Sequence, residues 1–251
     1  MTVGDWIRPR LTGSWGSVTG VIPAGYEAYV RVLHPVAVDE DRSVRWRDVA
    51  SVTGQQVHPL VQWWRLIDSP DSVNPSSELW HGDNPETGAL ALPDSQVLVD
   101  LLGRHTDTPG DAYFALWEGS GHFNDDSGIM YRVDDAGSSA IEKWPVSATA
   151  AQLASGPRLR HPGRTYFVLA GALAEVSTIA DLVGARPWVL SGNLIWPADQ
   201  AWCIGTEVDF DSTLVGCSRT TADEILSCND LEVLPIEPHD SLQYDADRIN
   251  A

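Results

Sequence analysis

Gly25-Tyr-Glu-Ala-Tyr-Val-Arg-Val-Leu-His-Pro35 alternates with a period of two: Tyr26, Ala28, Val30 and Val32 point one way, and Glu27, Tyr29, Arg31 and Leu33 the other. That period marks a β-strand, and bulky groups on both sides mark one that packs on both faces. The preceding Val21-Ile-Pro-Ala-Gly25 supplies turn residues, and Pro35, lacking an N–H for a ladder, is expected to stop the strand. Working outward, a charged turn at residues 39–42 leads to a helix over 45–54 that Gly54 ends. Residues 61–67, Val-Gln-Trp-Trp-Arg-Leu-Ile, are rich in aromatic and β-branched side chains and read as strand. Ser, Pro, Asn and Asp make 68–86 a long loop.

Beyond it, Asp94 caps a helix whose Val97, Leu98, Leu101 and Leu102 fall on one face, with Gly103 weakening its end. A strand follows over 112–118. Residues 122–163 carry little periodic apolar content and read as a loop or insertion. Regular structure resumes with a strand over 164–171 and a helix presenting Leu173, Val176, Ile179, Ala180 and Val183, with Gly184 on its C-terminal side. Two strands are expected over 201–210 and 213–217, a helix over 220–226 capped by Ser218, and a last strand over 231–236 before an acidic tail. Strands and helices at irregular spacing, without βαβ alternation, predict an α+β fold: a largely antiparallel sheet with several packed helices, in one domain over 1–251.

Composition bounds the function. With 251 residues and 43% hydrophobic content the chain buries a sizeable core, and its longest apolar runs fall well short of the roughly 20 residues that span a bilayer. The first ten residues lack the apolar centre of a signal peptide, so the cytoplasm is the expected compartment. Cys203, Cys217 and Cys228 match neither a disulfide framework nor a metal knuckle and read as small apolar residues. A formal net charge of −19 repels phosphate backbones and anionic membranes, and 16 Lys plus Arg scattered along the chain form no basic stripe. Neither nucleic acid nor membrane is expected as a partner. The same acidity supports solubility and steers a basic protein toward the surface.

The chemistry-bearing stretch is Trp202-Cys-Ile-Gly-Thr-Glu-Val-Asp-Phe-Asp-Ser-Thr-Leu-Val-Gly216. Its Asp-x-Asp-x-Thr resembles the nucleophile motif of haloacid dehalogenase-type phosphatases. In that superfamily the motif opens a doubly wound domain with well over a hundred residues downstream, whereas here about forty follow. Read as one strand, the stretch places Glu207, Asp209 and Asp211 on a single face at about 7 Å steps, able to hold a divalent cation. The plainer account is the solvated face of a half-buried strand. His34 and His58, each before a proline, are candidates for a base pair, metal ligands or structural hydrogen bonding. His105 has Asp107 nearby as a weak dyad, and Gly119-Ser-Gly121 lacks the spacing of a nucleophile elbow. No Gly-rich phosphate loop or dinucleotide fingerprint is present, so no organic cofactor is expected. Of eleven tryptophans, including Trp63, Trp64, Trp188, Trp196 and Trp202, most are expected in the core, but adjacent Trp63 and Trp64 on a strand face opposite ways, which leaves one as an anchor for a partner or ligand. Trp117 and Glu118, closing the strand over 112–118, complete the candidate binding residues.

Taken together, residues 21–35, Arg45-Trp46, His58-Pro59 with Gln62-Trp63, Arg104-His-Thr-x-Thr-Pro109, Trp117-Glu-Gly119 and Trp196-Pro-x-Asp-x-Ala-Trp-Cys203 through Asp211-Ser-Thr213 are similar to a family of uncharacterised actinobacterial proteins. The resemblance implies a cytoplasmic single-domain protein and carries no activity, cofactor or catalytic residue. Ile22-Pro-x-Gly-Tyr-Glu27 and the element order also resemble the SMI1/KNR4-type immunity and interaction superfamily. The expectation is a non-enzymatic, acidic protein-binding module, immunity-like in kind. Its alternative is a metal-assisted hydrolase or phosphatase using Glu207, Asp209 and Asp211.

Overall fold

The computed structural model describes residues 3–39, 42–123, 129–133, 139–143, 147–182 and 192–250. In chain order these form α1 (Val18–Val21), β1 (Ala28–Leu33), β2 (Val36–Asp39), β3 (Arg42–Val44), α2 (Trp46–Thr53), α3 (Trp63–Leu66), α4 (Asp94–Gly103) and β4 (Ala112–Trp117). Then come β5 (Ile129–Val133), β6 (Ser139–Lys143), α5 (Ala148–Ala154), β7 (Arg158–His161), β8 (Arg164–Gly171) and α6 (Ile179–Leu182). The chain continues through β9 (Leu194–Pro197), β10 (Cys203–Gly205), β11 (Ser212–Cys217), α7 (Arg219–Leu226) and β12 (Val233–Ile236). Eight strands make one sheet in the order β12-β1-β11-β10-β9-β4-β8-β7, with every neighbouring pair antiparallel. The class is α+β, as the irregular element spacing predicts. No helix among the described residues is long and apolar enough to cross a membrane.

β1 shows why its sequence carries bulk on both sides. It lies between β11 and β12, pairing Val30 with Val215 and Arg31 with Leu234. Val30 and Val32 face a core that includes Phe114, Phe167, Ile195 and Val215, covered by Leu98 and Leu102 of α4 and Ile225 of α7. Tyr29 faces the opposite core, where Leu194, Trp196, Cys203 and Leu214 pack under Ile7, Val18, Val21 and Ile22 of the N-terminal segment. With both faces covered, the polar side of the alternation has nowhere to meet water. Trp202, fully buried, ties α4 to the sheet by donating its indole N–H to the Leu102 carbonyl at 3.0 Å.

A third, smaller core gathers Leu33, Val36, Trp46, Val49, Val61, Trp63, Leu66 and Ile67 at the end of β1. Helix α2 enters it with its first N–H groups held by a distant acid: Glu232 accepts from the amides of Trp46 at 2.6 Å and Arg47 at 2.9 Å. A carboxylate at a helix N-terminus satisfies orphan donors and complements the helix dipole. Gly54 closes α2 in the left-handed region at φ 78°, and Ser218 caps α7 by accepting from the Thr221 amide at 3.2 Å.

Several sequence expectations change. Residues 61–67 are not a strand: Trp63, Leu66 and Ile67 are buried at i, i+3 and i+4, a helical spacing, and Trp63–Leu66 is a single helical turn. Pro35 does stop the β1 ladder, which ends at Leu33, but extended structure resumes beyond it, where Val36–Asp39 turns off to pair with Arg42–Val44 in a separate sheet. The expected helix from residue 173 begins as a 3₁₀ segment over Leu173–Thr178 before α6. Within 122–163, the described residues carry the β5–β6 hairpin, α5 and edge strand β7. Residues 124–128, 134–138 and 144–146 of that span, with Val183, Gly184 and Trp188, lie outside the described residues.

Candidate functional site

The expected strand over 201–210 ends at Gly205, because β10 and β11 are antiparallel neighbours and the chain must reverse between them. Gly205 pairs with Leu214, and Thr206 meets Thr213 across the same register, hydroxyl to hydroxyl at 2.7 Å. Residues 207–211 are therefore a hairpin connection, turned by the Phe210 amide donating to the Glu207 carbonyl at 2.9 Å. The carboxylate row loses its strand period there. Gly88 holds the loop from outside, its amide donating to the Phe210 carbonyl at 2.9 Å, at φ 80°. A Cβ at Gly88 would sit 2.8 Å from the Val208 carbonyl oxygen, so the approach requires glycine.

This loop forms one wall of a cleft of about 620 Å³, whose other walls are Trp15, Trp63 and Trp64 of α3, Val73, Asn84 and the tail residues Leu242 to Tyr244. Trp15, Val73 and Tyr244 are 44%, 81% and 65% exposed, so three of the large apolar side chains that stand in solvent share one cleft. The tail is fastened across it: Gln243 donates its side-chain amide to the Trp15 carbonyl at 2.6 Å, and Trp64 donates its indole N–H to the Tyr244 carbonyl at 3.2 Å. Trp63 is 3% exposed, lies between Trp46 and Trp80 with centroids 5.2 and 6.2 Å away, and donates to Asn84 Oδ1 at 2.7 Å. Trp64 is half-buried, with the Arg65 guanidinium 4.3 Å from its ring centroid.

The three acids of the loop have different surroundings. Glu207 is buried and Asp209 is 76% exposed, yet both accept from Arg164, at 2.5 and 2.7 Å from Nη2. Arg164 is itself held between Trp15 and Trp117, its Cζ 5.4 and 4.9 Å from their ring centroids. Asp211 turns the other way, onto Arg31. That arginine projects from the middle of β1 and is 1% exposed. Its donors reach Ser212 Oγ at 2.8 Å, the carbonyls of Pro59 at 3.0 Å and Val61 at 2.8 Å, and Asp211 Oδ1 at 3.3 Å. Burial raises the Asp211 pKa, and the Arg31 charge pulls it back in part. Arg31 thus braces the base of the loop against the 59–61 segment. Sequence reading missed it as a site residue, although a charge between Val30 and Val32 in a two-faced strand was the available signal.

The histidines do not join the acids. His34 is buried, with Nδ1 2.6 Å from the Glu86 carbonyl and Nε2 2.9 Å from Thr213 Oγ1. A carbonyl only accepts, so Nδ1 carries the proton and Nε2 accepts from the threonine. Burial holds the His34 pKa down to about 4, leaving a neutral ring with both nitrogens occupied. His58 donates from Nε2 to Asp247 Oδ1 at 2.8 Å and accepts the Leu60 amide at Nδ1, fastening the C-terminal tail in a separate hollow. Burial opposes ionisation of Asp247, but hydrogen bonds from Asn250 prevail and hold its carboxyl below the usual range. His105 pairs with Glu224 at 2.6 Å and not with Asp107. Cys203 and Cys217 are buried, and burial raises both thiols, Cys217 to about 12, so neither is a ready nucleophile at neutral pH.

Among the described residues no group of three or more His, Cys, Asp or Glu is arranged to hold a metal ion. A cation at Glu207 and Asp209 would have to displace Arg164. The haloacid dehalogenase resemblance fails on topology as well, since its Asp-x-Asp-x-Thr sits in a turn between antiparallel strands and not at the end of a parallel one. What the cleft offers is an aromatic wall beside carboxylates, suited to recognition of cationic and apolar groups.

Trp117 and Glu118 belong to a second groove, of about 750 Å³, on the other side of Arg164. Arg8, Arg158, Arg160 and Arg164 line it. Four of the 16 basic residues, three of them from the β7–β8 hairpin, are therefore gathered in space, and the expectation of no local basic surface is corrected. Comparison of the chain with protein-family models, with curated proteins and with solved structures finds no match in any of the three.

Proposed function

We propose that this protein is a non-enzymatic binding module whose aromatic, acid-bearing cleft takes a basic segment of a protein partner. The observation that carries this reading is the convergence of exposed Trp15, Val73 and Tyr244 with Glu207, Asp209 and Asp211 in one cleft. A lysine or arginine from a partner would meet a ring face, the exposed Asp209 carboxylate and a partly dewatered floor, a setting in which cation–π and charge pairing reinforce each other. The net charge of −19 draws such a partner in at long range. An immunity-like role in the cytoplasm of an actinobacterium is the form of this reading that the sequence resemblances imply.

The test is a titration of the intact protein with a Lys- and Arg-rich peptide containing one or two aromatics, read by tryptophan emission. Saturable binding that weakens with salt, and falls about tenfold in Trp64→Ala and in Asp209→Lys, is the expected result. A flat titration sinks the reading. The alternative, a metal-assisted hydrolase or phosphatase on Glu207, Asp209 and Asp211, rests on the same three carboxylates. Thermal stabilisation by magnesium, calcium or zinc that Asp209→Asn removes would favour it instead.

A further inference from the structure

Strand β7 ends the eight-stranded sheet, paired with β8 on one side only among the described residues. Its register with β8 matches Leu159 to Tyr166 and His161 to Arg164 around Pro162-Gly163. The Val168 amide bonds the Pro157 carbonyl at 3.2 Å. Hydrogen-bonded and non-bonded pairs alternate along an antiparallel ladder, so pairs 157–168, 159–166 and 161–164 close it. The backbone N–H and C=O of Arg158 and Arg160 consequently point away from the sheet. An open edge of this kind is a template for an added strand.

The side chains say which strand. Burial along β7 alternates, with Arg158 and Arg160 exposed and Leu159 and His161 buried. Arg160 and Arg8 have no ion-pair partner among the described residues, and Arg158 shares Glu118 at 3.5 Å. With Arg164, these arginines line the 750 Å³ groove, a reversal of sign on a chain of net charge −19. A second copy of β7 laid against the first would bring guanidinium groups together and be repelled. A segment with Asp or Glu at every second position would set its carboxylates on the same face as Arg158 and Arg160; bidentate pairing is available at Arg160, while Arg158, already donating to Glu118 and to the Ala154 and Gly156 carbonyls, adds its charge.

We infer that the β7 edge is a docking site for an extended acidic segment of a partner protein, added as a further strand with alternate carboxylates opposite Arg158 and Arg160. The site is separate from the aromatic cleft and opposite to it in charge, so either can fail without the other.

The test uses the full chain and a fluorescently labelled peptide of alternating glutamate and valine, followed by anisotropy. Binding should weaken with salt, and fall about tenfold or more in Arg160→Glu and with glutamine in place of glutamate. It should vanish when alternate backbone amides of the peptide are N-methylated, which removes ladder donors and keeps every charge. Because that arm uses the unaltered protein, it decides even if the variant fails to fold. No binding of the acidic peptide, equal binding of the N-methylated one, or displacement by equimolar inorganic phosphate would each overturn the inference.

Discussion

Arg31 and Arg160 sit on strands of the same sheet and carry the same side chain, yet the fold treats them oppositely. Arg31, on β1 between two neighbours, is 1% exposed and reaches two carbonyls, a hydroxyl and a carboxylate. Arg160, on edge strand β7, is exposed and reaches no ionic partner among the described residues. The first is consumed by the architecture; the second is left available. Arg164 stands between these cases, tied to Glu207 and Asp209 on one side and lining the basic groove on the other. Partners satisfied within the chain, rather than charge, separate a structural arginine from one that can serve recognition.

The largest effect should come from Arg31→Met, which leaves Asp211 and the Pro59 and Val61 carbonyls without their donor. A loss of about 3–5 kcal/mol in urea-induced unfolding is expected, and a loss below about 1 kcal/mol would break the contrast with Arg160. His34 tests the interior side of the comparison by pH. Its folded pKa of about 4 lies below the unfolded value, so its contribution is fully present above the unfolded pKa near 6.5 and is lost as pH falls toward 4. The loss amounts to about 3 kcal/mol at most. Asp211 and Glu232, raised by burial, act with the opposite sign, so the measurement is the difference between wild type and His34→Gln across that window. Wild type should lose stability relative to the variant as pH falls from 6.5 to 4, and parallel curves would refute the assignment.

Arg164→Gln should cost about 2 kcal/mol, since buried Glu207 loses a charged donor. The same change should tighten basic-peptide binding in the cleft and weaken acidic-peptide binding at β7. Two affinities moving together would show that Arg164 does not partition the sites. The smallest effect belongs to Arg160→Ala, expected within about 0.5 kcal/mol of wild type in thermal unfolding.

How much of this was legible follows from the range of each interaction. The alternation at 28–33, the apolar run at 112–117, and the Ser218 and Gly54 caps are local signals, and each produced its element. The turn at 207–211 was misread because a strand's period and a hairpin connection share the same acid-apolar alternation; only the pairing of β10 with β11 distinguishes them. The single turn at Trp63–Leu66 is too short for a period to declare itself, and its aromatic content reflects packing in the third core. Arg8, Trp117 and the β7–β8 hairpin that carries Arg158 and Arg164 come from three separate parts of the chain, and no spacing rule connects them. The cleft has the same origin: Trp15, Trp64, Asp209 and Tyr244 meet only after the sheet has closed.

That closure has a temporal side. β1 is flanked by β11 and β12, whose residues lie some 180 to 200 positions later. During synthesis from the N-terminus, one of the most thoroughly buried strands must therefore wait for residues 212–236 before either edge is paired. For an interval of that length on the ribosome, Ala28–Leu33 is a largely apolar segment with two open edges, the kind of species that slow, long-range sheet formation exposes to aggregation. The charge at Arg31 interrupts that segment at its centre and so acts as a gatekeeper for the nascent chain before it becomes a brace for the finished one.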